Sequence, residues 1–421
     1  MTNDPNHSHA GGLSVLAERR DSWRRAAEED AQLREFRRNA DLRIAFTDGN
    51  ERVTVRVTPG GLDETENADV TLVAPAVAWN ELLSGTPAPT MNHFLAMLMR
   101  VNGTRIEGDE IRFGQHAHVV RRLLELARES VDRPIDRAPD PVLDRSGIRG
   151  RHVPVTVDGD RVDLYVEEAG TGSSTPLLVL HTAGADGRQA HPLMADAELT
   201  ARRRVIAFDM PGHGRSDALP GPLGSWSLTP DRYADAILGV IDALGLERPI
   251  LVGASMAGEA CLLMAYRAPD RLGGVIACEA SEYVPGRVTP WAGHPQVNES
   301  IFVPEWIDGL IAPTAPASMR DLIWRGYSQG GHRTFAGDID FYSGGWDGRG
   351  IVNLIDTSIC PVVMMTGEFD YSCTPAMSQA TAEQIPGARF WMMPGLGHFP
   401  ICEHPAAFRP HLDKALAEIG A

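Results

Sequence analysis

The sequence predicts a chain in two parts: a small α+β domain with an antiparallel sheet, then a larger α/β domain with a mostly parallel sheet and a cap inserted into it. Three observations predict this. Leu42, Ile44 and Phe46, then Val53, Val55 and Val57, then Val70, Leu72 and Val73 mark three early runs with the period-two alternation of half-buried strands. From residue 177 the runs become continuously apolar, as in Leu177-Leu178-Val179-Leu180, Val205-Ile206-Ala207-Phe208 and Ile250-Leu251-Val252. Helical patterns separate them, which is the signature of a parallel sheet covered on both faces. Residues 281–350 then break the alternation with a Gly-, Pro- and aromatic-rich stretch. It holds Trp291, Trp306, Trp324 and Trp346, half of the eight tryptophans. That stretch reads as a cap over one end of the sheet.

Composition bounds the rest. At 421 residues the chain is too long for one small core. A formal net charge of −17 argues against nucleic acid and anionic membrane surfaces as partners. The five cysteines, Cys261, Cys278, Cys360, Cys373 and Cys402, form no CxxC pair and read as buried free thiols of a cytoplasmic protein. Residues 1–12 are polar, without the apolar core of a signal peptide, and no stretch approaches the ~20 apolar residues of a membrane span.

Along the chain, residues 1–12 read as a disordered tail and 13–38 as helical. Asp48-Gly49-Asn50 is a hairpin turn signal between the first two strands. Two short helices are expected at 76–83 and 91–99, a strand pair at 104–113 turning at Glu107-Gly108-Asp109, and a helix at 116–128. Residues 13–130 thus form the small domain. Residues 131–150, with Pro134, Pro139 and Pro141 among Asp and Arg, are a linker. Residues 151–280 and 351–421 form the larger core, with the cap at 281–350. Within it, 153–157 and 162–166 read as a hairpin. A helix begins at Thr229-Pro230 with the N-cap and first-turn residues such starts favour.

The chemistry gathers around Gly253-Ala254-Ser255-Met256-Ala257-Gly258. A buried strand meets a helix at one serine flanked by small residues, the form of a nucleophile elbow. The common pattern has glycine two residues after the serine; here Ala257 stands there and Gly258 follows. Asp370 lies just past the strand at 362–366, and His398 lies between Gly397 and Pro400 after the last strand. Both positions point into the crevice at the carboxyl ends of parallel strands. Glu279 and Glu282 are the competing acids, after the strand that follows the elbow. No spacing suits a metal or a phosphate, so no cofactor is expected.

His181, Asp209-Met210-Pro211-Gly212-His213-Gly214-Arg215-Ser216, the elbow, Gly367 with Asp370, and Gly397-His398 occur in a fixed order. On these motifs residues 151–421 resemble an α/β-hydrolase. The resemblance implies a Ser255–Asp370–His398 triad. It implies an oxyanion hole from the N–H groups of Met256 and Ala183, with Thr182 replacing a customary glycine. Thr182, Trp291, Trp306, Trp324 and Tyr371 are the candidate pocket residues; Asp186, Arg188 and Gln189 follow the oxyanion loop, and His213 belongs to the turn motif. More loosely, 13–130 resembles a sterol-carrier-protein-like lipid-binding domain, through Ala68-Asp69-Val70-Thr71-Leu72, Trp79 to Gly85 and Arg105 to Asp109. A docking or dimerisation module is the alternative for that domain.

Two kinds of function follow. One is a serine hydrolase for an ester, lactone or related acyl bond of a moderately hydrophobic small molecule, or a carbon–carbon bond hydrolase for a diketone-type substrate using the same triad. The other is a ligand-binding relative without catalysis, which an intact triad disfavours. An exposed aromatic cap face would be a liability in a monomer, which leaves a homodimer open.

Overall fold

The computed structural model describes residues 12–130, 135–285, 289 and 291–421. The disordered tail expected at 1–12 falls outside them except for Gly12, and so does Pro134 of the expected linker. The chain divides into two compact units: Met1–Asp136 with Pro295–Gly309, and Arg137–His294 with Leu310–Ala421.

In the first unit, the helical stretch at 13–38 is three short helices, Gly12–Glu18, Arg20–Glu29 and Ala31–Phe36. Asp30 breaks it: its backbone leaves the helical region and its carboxylate caps the Leu33 N–H. A five-stranded sheet follows in the order β3-β2-β1-β4-β5, with β1 Leu42–Thr47, β2 Arg52–Thr58, β3 Gly61–Glu64, β4 Val70–Val73 and β5 Arg105–Gly108. The sheet is antiparallel except where β1 runs parallel to β4, which corrects the wholly antiparallel expectation. The expected strand pair at 104–113 is also corrected. Only β5 forms, because Asp109 accepts the Arg112 N–H and starts the helix Glu110–Ser130. Trp23, Phe46, Trp79, Phe94 and Phe113 form an aromatic chain through this core, with ring centroids 5.9–6.2 Å apart.

The stretch 281–350 is divided between the units. Its helix Glu299–Asp308 folds with the first unit, where buried Arg121 pairs with Glu305 at 2.5 Å and with Asp308 at 3.9 Å. A buried guanidinium needs such partners, since losing one strands a charge in the core.

The second unit holds an eight-stranded sheet in the order β13-β12-β11-β10-β8-β9-β7-β6. β6 Arg149–Val157 and β7 Asp160–Ala169 make an antiparallel hairpin at one edge. β8 Ser174–Leu180, β9 Arg203–Phe208, β10 Ile250–Ala254, β11 Gly274–Cys278, β12 Val362–Gly367 and β13 Arg389–Met393 are parallel. The chain runs from β8 outward to β9, then returns past β8 to β10. That reversal opens a crevice at the carboxyl ends of β8 and β10. Leu177, Val179, Val205, Ile250, Val252, Ile276, Val363 and Met365 are buried in one core cluster behind it.

Candidate active site

Ser255 stands between β10 and the helix Met256–Arg267, at φ 61° and ψ −129°. A non-glycine residue at positive φ is strained, and such strain marks a functional turn. The surroundings enforce it. A Cβ on Gly253 would lie 2.6 Å from the Ala257 carbonyl oxygen, and one on Gly258 would lie 2.2 Å from the Cys278 carbonyl oxygen. Position 257 meets no such limit, so alanine serves there while glycine is needed one residue later. The Ser255 N–H donates to the Cys278 carbonyl at 3.0 Å, tying the elbow to β11. Met256 opens the helix, so its N–H has no acceptor within the helix.

Asp370 and His398 follow β12 and β13, at the same sheet edge. His398 Nδ1 lies 2.8 Å from Asp370 Oδ2, and Asp370 Oδ1 accepts the N–H groups of Ser372 (2.7 Å) and Cys373 (3.3 Å). The His398 N–H donates to the Leu310 carbonyl at 2.9 Å. Buried Glu403 braces that loop from below by accepting the N–H groups of Gly397 and Phe399; burial lifts its pKa to about 7.

Glu279 is not bound to His398. It sits at φ 52° and accepts the Gly367 N–H at 3.0 Å. Burial and the neighbouring Asp370 charge push its pKa well above the usual carboxyl range.

The loop after β8 is held by side chains. The Thr182 N–H donates to Gln189 Oε1 at 2.9 Å, and Thr182 Oγ1 lies 2.7 Å from the Tyr327 hydroxyl. The Gly184 N–H donates to Asp338 Oδ2 at 2.7 Å. Between them, the Ala183 N–H has no protein acceptor among the described residues. His181 Nδ1 donates to the Thr182 carbonyl at 2.9 Å, and its Nε2 accepts the Met210 N–H at 3.1 Å. This requires the neutral ring, which burial and the nearby His213 also favour. Asp209 anchors the other end of the loop, accepting the N–H groups of Gly187 (2.7 Å) and Arg215 (2.8 Å). His213 forms a buried pair with Asp338 at 2.8 Å. Burial opposes the His213 charge, but Asp338 and its hydrogen bond outweigh it and raise the pKa.

The expected pocket residues are placed as follows. Thr182 is buried in the loop just described. Tyr371 is buried beside Asp370, Trp291 is buried in the second unit, and Trp324 is half-buried on the helix Ala317–Ser328. Trp306 lies on Glu299–Asp308, in the first unit, stacked on Phe302 at 6.1 Å. Further aromatics near His398 are Tyr342 and Phe399, with Tyr327 and Phe335 packed behind Phe399. Phe399 and Tyr342 lie 5.1 and 6.4 Å from the His398 ring, and Tyr327 lies 5.8 and 6.2 Å from Phe399 and Phe335. Asp186, Arg188 and Gln189 line a separate cavity of about 400 Å³ with Met319 and Ile323, and no triad residue faces it. Sequence reasoning missed Asp338 and the bracing Glu403. Their only local signal is an acid within an otherwise apolar segment.

The family described as alpha/beta hydrolase fold matches residues 175–325. A 2-hydroxy-6-oxononadienedioate/2-hydroxy-6-oxononatrienedioate hydrolase of Burkholderia vietnamiensis is 33% identical over 153 residues, which cover 36% of this chain and 51% of that protein. The chain thus spans about half the length of the curated relatives it matches first. Among solved structures, an esterase from Thermogutta terrifontis superposes with TM-score 0.53 at 23% identity, over 64% of this chain and all of that one. An enol-lactonase from Burkholderia xenovorans does so with TM-score 0.53 at 22% identity, over 63% and 99%. The second unit thus has the α/β-hydrolase fold.

Proposed function

We propose that this protein is a serine hydrolase that cleaves an ester, lactone or related acyl bond of a moderately hydrophobic small molecule. The observation that carries the reading is the His398 Nδ1–Asp370 bond at 2.8 Å, on the sheet edge where the strained Ser255 elbow stands. That bond leaves His398 Nε2 as the free ring nitrogen. In the proposed reaction, Ser255 Oγ attacks the acyl carbon as Nε2 takes its proton. Asp370 holds the tautomer and stabilises the imidazolium, and the Met256 and Ala183 N–H groups donate to the oxyanion. His398 then protonates the leaving group, and water, activated in the same way, frees the acyl group from Ser255. The rings of Tyr327, Phe335, Tyr342 and Phe399 support an apolar substrate.

A second reading, a carbon–carbon bond hydrolase for a diketone-type substrate, is favoured by the Burkholderia vietnamiensis relative. For residues 13–130 we propose a docking or ligand-access role, without catalytic groups. The test is labelling of Ser255 by a fluorophosphonate, followed by turnover of short-chain aryl esters, lactones and a vinylogous diketone. Labelling with ester or lactone turnover is the expected result. Diketone turnover alone would favour the second reading, and no labelling would favour a binding protein.

A further inference from the structure

Besides Tyr327, a second cap residue joins the oxyanion loop: Asp338, on the helix Thr334–Asp340. Its side chain is fully buried, and all three of its partners come from segments distant in sequence. Oδ2 accepts both the Gly184 N–H at 2.7 Å and His213 Nε2 at 2.8 Å; Oδ1 accepts Trp226 Nε1 at 2.7 Å. The cap helix itself lies directly on the loop. Gly184 is at φ 69°, and a Cβ there would come 2.8 Å from the Cβ of Phe335. On the helix's other side the Leu228 N–H donates to the Gly337 carbonyl at 3.1 Å, and a Cβ on Gly337 would lie 2.2 Å from the Trp226 carbonyl oxygen.

The Ala183 N–H lies in the Thr182–Ala183 peptide plane, whose carbonyl accepts His181 Nδ1 at 2.9 Å and the Ala185 N–H at 3.1 Å, and that plane can turn only as far as the one hinged to it at the Ala183 Cα allows. The plane after it is fixed through the Gly184 N–H, and the acceptor there is Asp338 alone among the described residues. A full negative charge serves better than a neutral acceptor at this point, because one oxygen must satisfy two donors, one of them on His213, whose other ring nitrogen faces the Pro211 carbonyl at 3.0 Å.

We propose that Asp338 is a positioning residue: by clamping the Gly184 N–H from the cap, it aims the Ala183 N–H at the oxyanion. The proposal rests on the hydrolase reading above. The oxyanion hole is then complete only when the cap helix is seated.

The test compares Asp338→Asn, which keeps the shape but removes one acceptor, with Trp226→Phe, which removes only the donor to Oδ1. Amide hydrogen exchange over residues 181–186 reads the clamp without reference to activity. Steady-state kinetics on an aryl ester read its consequence. For D338N we expect faster exchange in that segment, a fall in kcat of about 10- to 100-fold and KM within about threefold, the pattern of a misaimed group rather than a lost substrate contact. For W226F we expect exchange and kcat close to wild type. If D338N does not fold, Asp338→Glu, with its charge displaced by one methylene, should show the same kcat-specific loss. Unchanged kcat, a loss confined to KM, or equal losses in D338N and W226F would overturn the proposal. Wild-type protein that neither labels at Ser255 nor turns over ester would overturn the hydrolase reading and this proposal with it. Exchange that quickens in D338N while a labelled, active enzyme keeps its kcat would overturn the positioning role alone.

Discussion

Ser255 and Ala183 follow the carboxyl ends of neighbouring strands, β10 and β8, but they are held by different means. At the elbow the restraints are backbone contacts among residues 253–258 and the strand beside them. At the oxyanion loop they are side chains brought from far away: Gln189 is seven positions from Thr182, but Tyr327 is 145 away and Asp338 is 154 from Gly184. A turn built from its own backbone is rigid and changes only by substitution within it. A loop built from borrowed side chains can be tuned, or spoiled, from elsewhere in the chain.

The sharpest way to break the comparison is at the elbow itself. Ser255→Ala should lower turnover by about 10⁵- to 10⁶-fold while leaving the melting temperature near wild type, since only a hydroxyl is lost. A purified variant with even a tenth of wild-type activity would remove Ser255 from the chemistry. Next in size is Asp370→Asn, which leaves His398 in the wrong tautomer. The loss should be about 10⁴-fold, whereas Glu279→Gln, which keeps the shape and an acceptor for the Gly367 N–H, should cost less than about tenfold. A reversed ranking in steady-state rates would make Glu279 the acid.

On the loop side the effects should be smaller and graded. Tyr327→Phe removes the hydroxyl on Thr182 but keeps the ring against Phe335 and Phe399. One hydrogen bond of about 1 kcal/mol predicts a fall in kcat of about fivefold. A loss as large as that of Asp370→Asn would mean that Tyr327 touches the substrate.

The last effect is on stability rather than turnover. Glu403 has its pKa raised from 4.5 to about 7 by burial. A raised folded-state pKa gives stability that is complete below about pH 4.5 and is lost as pH rises through about 7, here about 3 kcal/mol. Glu403→Gln should therefore flatten part of the decline in melting temperature between pH 5 and 8. An unaltered slope would show that Glu403 ionises freely in the folded protein.

The same contrast governs what could be read from the sequence. The elbow, the continuous apolar strands and the acid and histidine after β12 and β13 are written in neighbouring residues, so spacing reveals them. Asp338 looks like any polar residue of a cap helix until Gly184 and His213 are beside it. β3 has one large apolar residue, Leu62, and shows no alternation. The start of the helix Glu110–Ser130 alternates like a strand, and only the turn at Asp109 decides between the two. Trp306 looked like a pocket residue because its neighbours in sequence are cap residues, yet Arg121, 184 positions before Glu305, draws its helix into the other unit.

That helix has a consequence for how the protein is made. A ribosome delivers residues 1–136 first, but the segment 295–309 that completes the same unit emerges only after β6 to β11 of the other. At typical rates of synthesis the first unit waits about 10–35 s for its last helix. During that interval Arg121 has neither Glu305 nor Asp308 to neutralise it, and the surface that will receive Phe302 and Trp306 stands open. Synthesis order thus makes the N-terminal unit the first to begin folding, yet it cannot finish until six strands of the other unit have been made.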